Sequence, residues 1–269
     1  MQKKTERHSI IIMMNEKELL EWYIAAGVDA IFGDVPGCVQ KMPTQPAKPE
    51  NPAEFSPRPA ITDLAQMSLK ACKNARDVCE AASSLDELRA AVEAFDGCSL
   101  KLTSNKTVFG GGNPNAKIMI VGEAPGADED RIGEPFVGRS GRLLDKMLSA
   151  IGLDRTTVYI TNVLPWRPPG NRTPTDAEVA VCLPFLKRQI ELMKPEIILV
   201  LGGSAANSLL DNEESISRLR GKWLEYKTLK GDACAVLASF HPAYLLRNPA
   251  QKSKVWADLL RLAKKLHNN

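Results

Sequence analysis

The amino-acid sequence predicts an α/β protein: a three-layer α/β/α fold around a central, mainly parallel, four-stranded sheet, preceded by a helical N-terminal extension. Three observations carry this expectation. Apolar runs of strand length at residues 117–121, 158–163, 197–201 and 233–240 alternate with amphipathic stretches of helical period. Strands that alternate with helices build βαβ units, and such units close into a parallel sheet. With 269 residues, 44% hydrophobic and 25% charged, the chain has the balance of a protein that buries a core rather than a disordered or collagen-like one.

In chain order, residues 15–32 read as an amphipathic helix, with Asn15 as N-cap, Glu18 three residues on, and apolar residues 19, 20, 23 and 24 at helical spacing. Seven prolines then fall between residues 36 and 59, a density that favours extended, semi-rigid chain over a core. The expected organisation is a helical segment at 1–33, a linker at 34–60 and an α/β domain at 61–269. Helices are expected at 62–81 and 85–95, the second opened by Ser84 with Glu87 three residues later. Further helices are expected at about 140–151, 176–193, 203–210 and 250–267, each after one of the four strands.

Several classes are excluded or disfavoured. No stretch approaches the 18 apolar residues of a membrane span, and the apolar run at 10–14 is too short for a secretory signal. A cytoplasmic protein with no membrane contact is expected. The six cysteines, at 38, 72, 79, 98, 182 and 234, are too few and too irregular for a disulfide scaffold and include no C-x-x-C pair. The net charge of +3 is unevenly spread, since residues 215–269 alone carry +8. A basic end on a near-neutral chain points to a phosphate backbone or to a solvated helix face.

In open parallel sheets, ligands sit beyond the carboxyl ends of the strands. The informative loops are therefore 122–139, 162–175, 202–206 and 239–249. The first matches neither G-x-G-x-x-G nor the P-loop pattern, yet holds Phe136 in a polar setting, as a core plug or as a platform for a planar ligand. Its four carboxylates, including Glu123 and Glu129, are either solvated and capping or poised to position water. Asn162 ends the second strand, where an amide can donate and accept together at a base edge or can cap the next turn. Arg167 and Arg172 follow it in a Pro-rich loop with no acid. In the fourth loop His241 directly follows a strand, while Leu245 and Leu246 are either loop anchors or wedges for a base stack.

Taken together, GEAPGADED, EPFVGRSG, ITNVLPWRPPGNRTP, LGGSAA and SFHPAYLLRNP in this order resemble the family 4 enzymes of the uracil-DNA glycosylase superfamily, over about residues 95–262. The resemblance implies excision of uracil from DNA by an enzyme that hydrolyses the N-glycosidic bond and leaves an abasic site. It implies catalytic roles for Glu123, Glu129 and His241, and a uracil site of Gly122, Ala124, Pro125, Gly126, Phe136 and Asn162. DNA contacts are implied for Arg139, Ser140, Arg167 and Arg172, and for Tyr244, Leu245, Leu246 and Arg247. Such enzymes carry a [4Fe-4S] cluster on four cysteines, but Phe95 and Trp166 stand at two of those positions and only Cys98 and Cys182 remain. No cofactor is therefore expected: Phe95 and Trp166 are expected to pack apolar area into the space a cluster would occupy, the alternative being that Cys72 and Cys79, seven apart on one helical face, substitute as ligands. The alternatives are a weakly active, lesion-recognising DNA-binding relative or a small-molecule phosphate binder. A monomer is expected, with residues 1–60 available to a repair or replication protein.

Overall fold

The computed structural model describes residues 61–228 and 231–267. The helix expected at 15–32 and the linker expected at 34–60 lie outside the described residues. The domain from residue 61 onward is built on one sheet. Its strands are β1 (Gly111–Gly112), β2 (Ile118–Gly122), β3 (Tyr159–Asn162), β4 (Ile197–Leu201), β5 (Trp223–Lys227) and β6 (Ala233–Ser239), in spatial order β1-β3-β2-β4-β6-β5. The four central strands are parallel and correspond to the four apolar runs of the sequence.

The sheet thus has six strands, where the sequence predicts four. The two additions are antiparallel edges, β1 on β3 and β5 on β6. Neither is apolar enough to read as a core strand: β1 is two glycines, and β5 leaves Trp223, Glu225 and Lys227 exposed. A short edge strand facing water needs no continuous apolar run.

Both faces of the central strands are covered, so their side chains are buried on alternate sides. Met119 and Val121 of β2, with Ile198 and Val200 of β4, face one core. Helices α1 (Ile61–Ala81), α2 (Leu85–Ala94), α6 (Asp176–Met193) and α7 (Gly203–Leu210) cover it, through residues such as Leu88, Val92, Phe185 and Leu209. Ile118, Ile120, Ile197 and Leu199 face the other, against Leu144 and Leu148 of α5 (Arg139–Ser149) and Val255, Leu259 and Leu262 of α10 (Lys252–His267). Among the described residues there are also four short α-helices, α3 (Leu100–Thr103), α4 (Ala127–Ile132), α8 (Ile216–Leu219) and α9 (Pro242–Arg247), and two single 3-10 turns.

Local sequence explains the helix starts. The Ser84 hydroxyl accepts from the Glu87 N–H at 3.2 Å, as its position predicts, but the Glu87 carboxylate turns back to Ser83, accepting from its N–H at 2.7 Å and its hydroxyl at 2.6 Å. Helix α6 opens with a reciprocal box in which Thr175 and Glu178 cap each other's backbone N–H groups. Two segments expected as loops hold short helices instead. Acidic residues at the start of α4 and Pro242 at the first position of α9 favour helical turns there.

Helix α10 is pinned to the end of β6 by a buried charge. Asp258 has no exposed surface, and its carboxylate accepts from Ser239 Oγ at 2.7 Å and from Arg220 at 3.1 and 2.5 Å. The Arg220 guanidinium also lies over the Phe240 ring at 5.7 Å, so one cluster fixes the strand end that leads into His241. Removing one partner of a buried pair strands the other without solvation. Asp258→Ala should cost about 3–5 kcal/mol in urea-monitored unfolding, whereas Lys117→Ala, which breaks the exposed Lys117–Glu196 pair, should cost less than about 1 kcal/mol.

Candidate active site

The carboxyl ends of β2, β3 and β6 open onto one cavity of about 410 Å³. Glu123, Ala124, Pro125, Gly126, Glu129, Phe136, Ser140, Asn162, His241, Tyr244 and Arg247 are among its lining residues, which draws three of the four sequence-flagged loops together. Parallel register sets the floor. Gly122 pairs with Asn162, and the ladder continues past both strands as Val163 N–H donates to Gly122 O at 2.9 Å and Leu164 N–H to Glu123 O at 3.1 Å. Gly122 has to lack a side chain, because a Cβ there would sit 2.6 Å from Phe136 Cζ and against the Asn162 amide oxygen.

Asn162 is 4% exposed, and its Oδ1 has no hydrogen-bond partner among the described residues. A buried acceptor left unpaired costs about 1–3 kcal/mol, so this amide is set for a ligand that brings a donor. Phe136 lies beside it, buried, with its ring 5.4 Å from the His241 ring at a tilt of 32°. Its backbone is held at φ 56°, a left-handed conformation unusual for a bulky residue. Arg155 supports that geometry: its guanidinium donates to the carbonyls of Pro135 and Phe136 while pairing with Asp145 at 2.8 Å. The sequence reading did not single out Arg155, whose polar surroundings gave no local signal.

His241 ends the β6 segment and caps α9. Its Nδ1 accepts from the Ala243 N–H at 3.1 Å, which leaves the proton on Nε2 as a donor. Burial, with a smaller contribution from the Arg247 charge, pushes its pKa down to about 4. The ring is therefore neutral at physiological pH, a hydrogen-bond donor and not a cation. Glu123 is half-buried at the rim, and burial raises its carboxyl above the usual range, partly offset by the Ser204 hydroxyl. Ser204 lies at the start of α7, and no residue of the third loop is part of the cavity lining.

Glu129 is placed differently from a free water-positioning group. Its Oε1 accepts from Gly138 N–H at 2.9 Å and its Oε2 from Gly126 N–H at 3.1 Å, so the carboxylate clamps the two ends of the first loop together. Asp130, 1% exposed, accepts from the backbone and side chain of Asn105 and lies 3.9 Å from Arg167. Arg167 also donates to Asn171 at 2.7 Å. Arg172 is bound by both oxygens of Glu178, at 2.9 and 2.6 Å, which holds that carboxyl down to about 2.

Beside the cavity runs a groove lined by Asp128, Arg139, Ser140, Leu246 and Arg247, and it shares Glu129, Ser140, Ala243 and Arg247 with the cavity. The leucine pair divides here. Leu245 is 1% exposed and packs into the core, whereas Leu246 is 39% exposed at the groove. Helix geometry explains the correction: in α9 one leucine turns inward and its neighbour outward, so Leu245 anchors the helix and only Leu246 is free to meet a ligand. Tyr244 packs its ring 5.0 Å from Phe240 and also lines the cavity.

The state of His241 is open to direct measurement. The unfolded imidazole titrates near 6.5 and the folded one near 4, so the unfolded chain binds the extra proton between these values. This group therefore lowers stability as pH falls from 6.5 towards 4 and contributes no pH dependence above that window. An NMR titration should show the His241 ring neutral from about pH 8 to about pH 5; a midpoint near 6.5 would contradict the burial argument.

Comparison with known proteins places this geometry in a family. Residues 109–260 match the model of the uracil DNA glycosylase superfamily. The chain is 44% identical over 183 residues to the type-4 uracil-DNA glycosylase of Archaeoglobus fulgidus, covering 66% of this chain and 92% of the relative. It is also 44% identical over 158 residues to that of Thermotoga maritima, covering 58% and 80%. With that of Pyrobaculum aerophilum it shares 40% over 179 residues, covering 65% and 91%. The chain belongs to the uracil-DNA glycosylase superfamily, alongside its type-4 members.

Proposed function

We propose that this protein hydrolyses the N-glycosidic bond of uracil in DNA, releasing the base and leaving an abasic site without cutting the strand. The observation that carries the reading is the convergence of a stacking ring, an unpaired amide and a neutral histidine donor on one cavity. A base inside a duplex is out of reach, so the nucleotide is flipped into the cavity, at a cost of a few kcal/mol of unstacking. Phe136 stacks on the uracil face, and the Asn162 Oδ1 accepts from the imide N–H that uracil offers.

As the bond between C1′ and N1 breaks, its electron pair moves onto the uracil ring and charge collects on O2. The Nε2–H of His241 stabilises that oxygen in the manner of an oxyanion hole. Being already neutral, it donates without having to lose a charge. Water attacks C1′ from the other side, and Glu123, its carboxyl raised by burial, is the group that orients it and takes its proton. Glu129 is assigned to holding the loop, since both of its oxygens are bound. The described cavity lining includes no lysine to act as an amine nucleophile, which supports simple hydrolysis.

The groove of Arg139, Ser140, Leu246 and Arg247 supports a path for the DNA backbone, with Leu246 filling the vacated stack. Arg172 borders the same cavity on the opposite loop and is committed to Glu178, whereas Arg167 lies outside the cavity lining, held by Asn171 and Asp130; both add positive field more than free contacts. The cavity draws its lining from this chain alone, and a monomer is the state proposed. Residues 61–269 are read as the catalytic domain and 1–60 as a tethered extension for a repair or replication partner, a reading supported by the proline-rich composition of 34–60. The cytoplasm is the compartment proposed, because the substrate is DNA; among the described residues no helix is long and apolar enough to cross a membrane.

The test uses a labelled oligonucleotide carrying one uracil, treated with alkali after incubation. Alkali-dependent cleavage is expected, falling by about 10²–10³ in His241→Ala under single-turnover conditions. DNA binding with no abasic sites would overturn the reading. Arg155→Ala should loosen the Phe136 loop and raise KM by about tenfold with a smaller change in kcat, and Arg155→Lys should recover part of the loss.

A further inference from the structure

We propose that, where the resemblance implies an iron–sulfur cluster, this chain instead carries a packed aromatic core that anchors the Pro-rich loop beside the active site. The inference rests on the family placement and on side-chain geometry, and does not require that uracil be the substrate. A cubane cluster needs four good ligands, and its loss would ordinarily leave a void between the 95–98 turn and the Pro-rich second loop. The residues present do not fit the cluster. Phe95 and Trp166 stand where the resemblance implies two of the four ligands, and neither side chain offers a thiolate.

That space is filled. Trp166 has no exposed surface, Phe95 is 6% exposed, and their rings stack with centroids 6.4 Å apart at 16°. Phe185 of α6 closes the cluster edge-on, 5.2 Å from Phe95 and 6.3 Å from Trp166. Offset stacks and edge-to-face contacts at these separations are the favoured aromatic geometries. A Cβ on Gly97 would lie 2.5 Å from the tip of the Phe95 ring, so the ring folds directly over the Gly97 backbone.

The two surviving cysteines are buried against each other, with Cys182 Sγ–H donating to Cys98 Sγ at 3.8 Å. Among the described residues, no group of three or more His, Cys, Asp or Glu side chains converges as a metal site. This covers Cys72 and Cys79, the other thiols near this end of the core. Burial pushes the Cys79 thiol up to about 12, with the Arg188 charge opposing in part, and so disfavours the thiolate that a metal requires.

The aromatic core reaches the active site through Trp166. Its indole N–H donates to Thr107 Oγ1 at 3.0 Å, and the preceding carbonyl, of Pro165, accepts from Val108 N–H at 2.8 Å. Two residues further on the loop becomes cavity wall, at Pro168, Asn171, Arg172 and Thr173. Trp166 is thus a positioning residue, holding the Pro-rich loop against the rest of the domain.

The full chain, purified anaerobically and then incubated with iron and sulfide under reducing conditions, should carry no more than trace iron and acid-labile sulfide. Stoichiometric iron and sulfide would overturn the proposal. Anchoring is read by trypsin, which can cut after Arg172 but not after Arg167, since Pro168 follows it. Trp166→Ala should be cut after Arg172 about tenfold faster than wild type, while Trp166→Phe, which keeps an aromatic ring, stays near wild type. Equal protection in all three proteins would refute the anchoring role. Neither readout depends on glycosylase activity, so a failed excision assay leaves this inference standing and a metal-loaded protein leaves the proposed function standing.

Discussion

The pairing of Gly122 with Asn162 across β2 and β3 is the constraint on which the cavity rests. Parallel register brings the two residues side by side at the carboxyl end of the sheet, and the absent side chain of Gly122 gives the Phe136 ring and the Asn162 amide room to close over one space. Sheet twist and strand order then deliver β6 beside β4, so His241 arrives on the same edge. A one-residue slip in the register would invert every inward and outward side chain of a strand. Both faces of β2 are buried and apolar, so the register is held by the shape of the packed side chains in the two cores and by the ladder itself rather than by an apolar–polar alternation.

Around this frame the loops are held by charges placed at backbone groups. Glu129 binds Gly126 and Gly138, Asp130 binds Asn105, Arg155 binds Pro135 and Phe136, and Asp258 binds Arg220 and Ser239. Each clamp takes a donor or acceptor that would otherwise face solvent or lie orphaned. Polar groups fixed before the reaction have no reorganisation cost when charge develops, which is where most electrostatic catalysis originates. The strained Phe136 backbone belongs to the same design, since its conformation persists only because its surroundings over-determine it.

His241 shows how one backbone contact selects a chemical state. With Nδ1 bound to the Ala243 N–H and the ring shielded from water, protonation is opposed by desolvation and by the nearby Arg247 charge. The tautomer and the charge are set together, before any ligand arrives. Glu123 is tuned the opposite way by the same cause, as burial raises a carboxyl and lowers an imidazole. The two groups thereby stand as a matched neutral donor and a strengthened base on one cavity.

The four parallel strands, the long helices and most of the cavity wall were legible in the sequence, because apolar runs of strand length and helical periodicity are consequences of burial that survive in one dimension. Glu123, Phe136, Asn162 and His241 were legible too, as polar or aromatic residues at the carboxyl ends of strands, where a parallel sheet puts its ligands. Edge strands β1 and β5 were not, for they are stabilised by pairing with a neighbour rather than by a pattern of their own. The clamp formed by Arg155 and the burial of Leu245 were decided by tertiary structure alone: a loop arginine acquires its role only when distant carbonyls are brought to it, and two adjacent leucines differ only once a short helix turns one inward. Phe95 and Trp166 were legible as residues filling the space of the missing thiols, but their partner Phe185 was not; the fold makes all three a common core because aromatic surface separated by up to 90 residues is driven out of water at the same place.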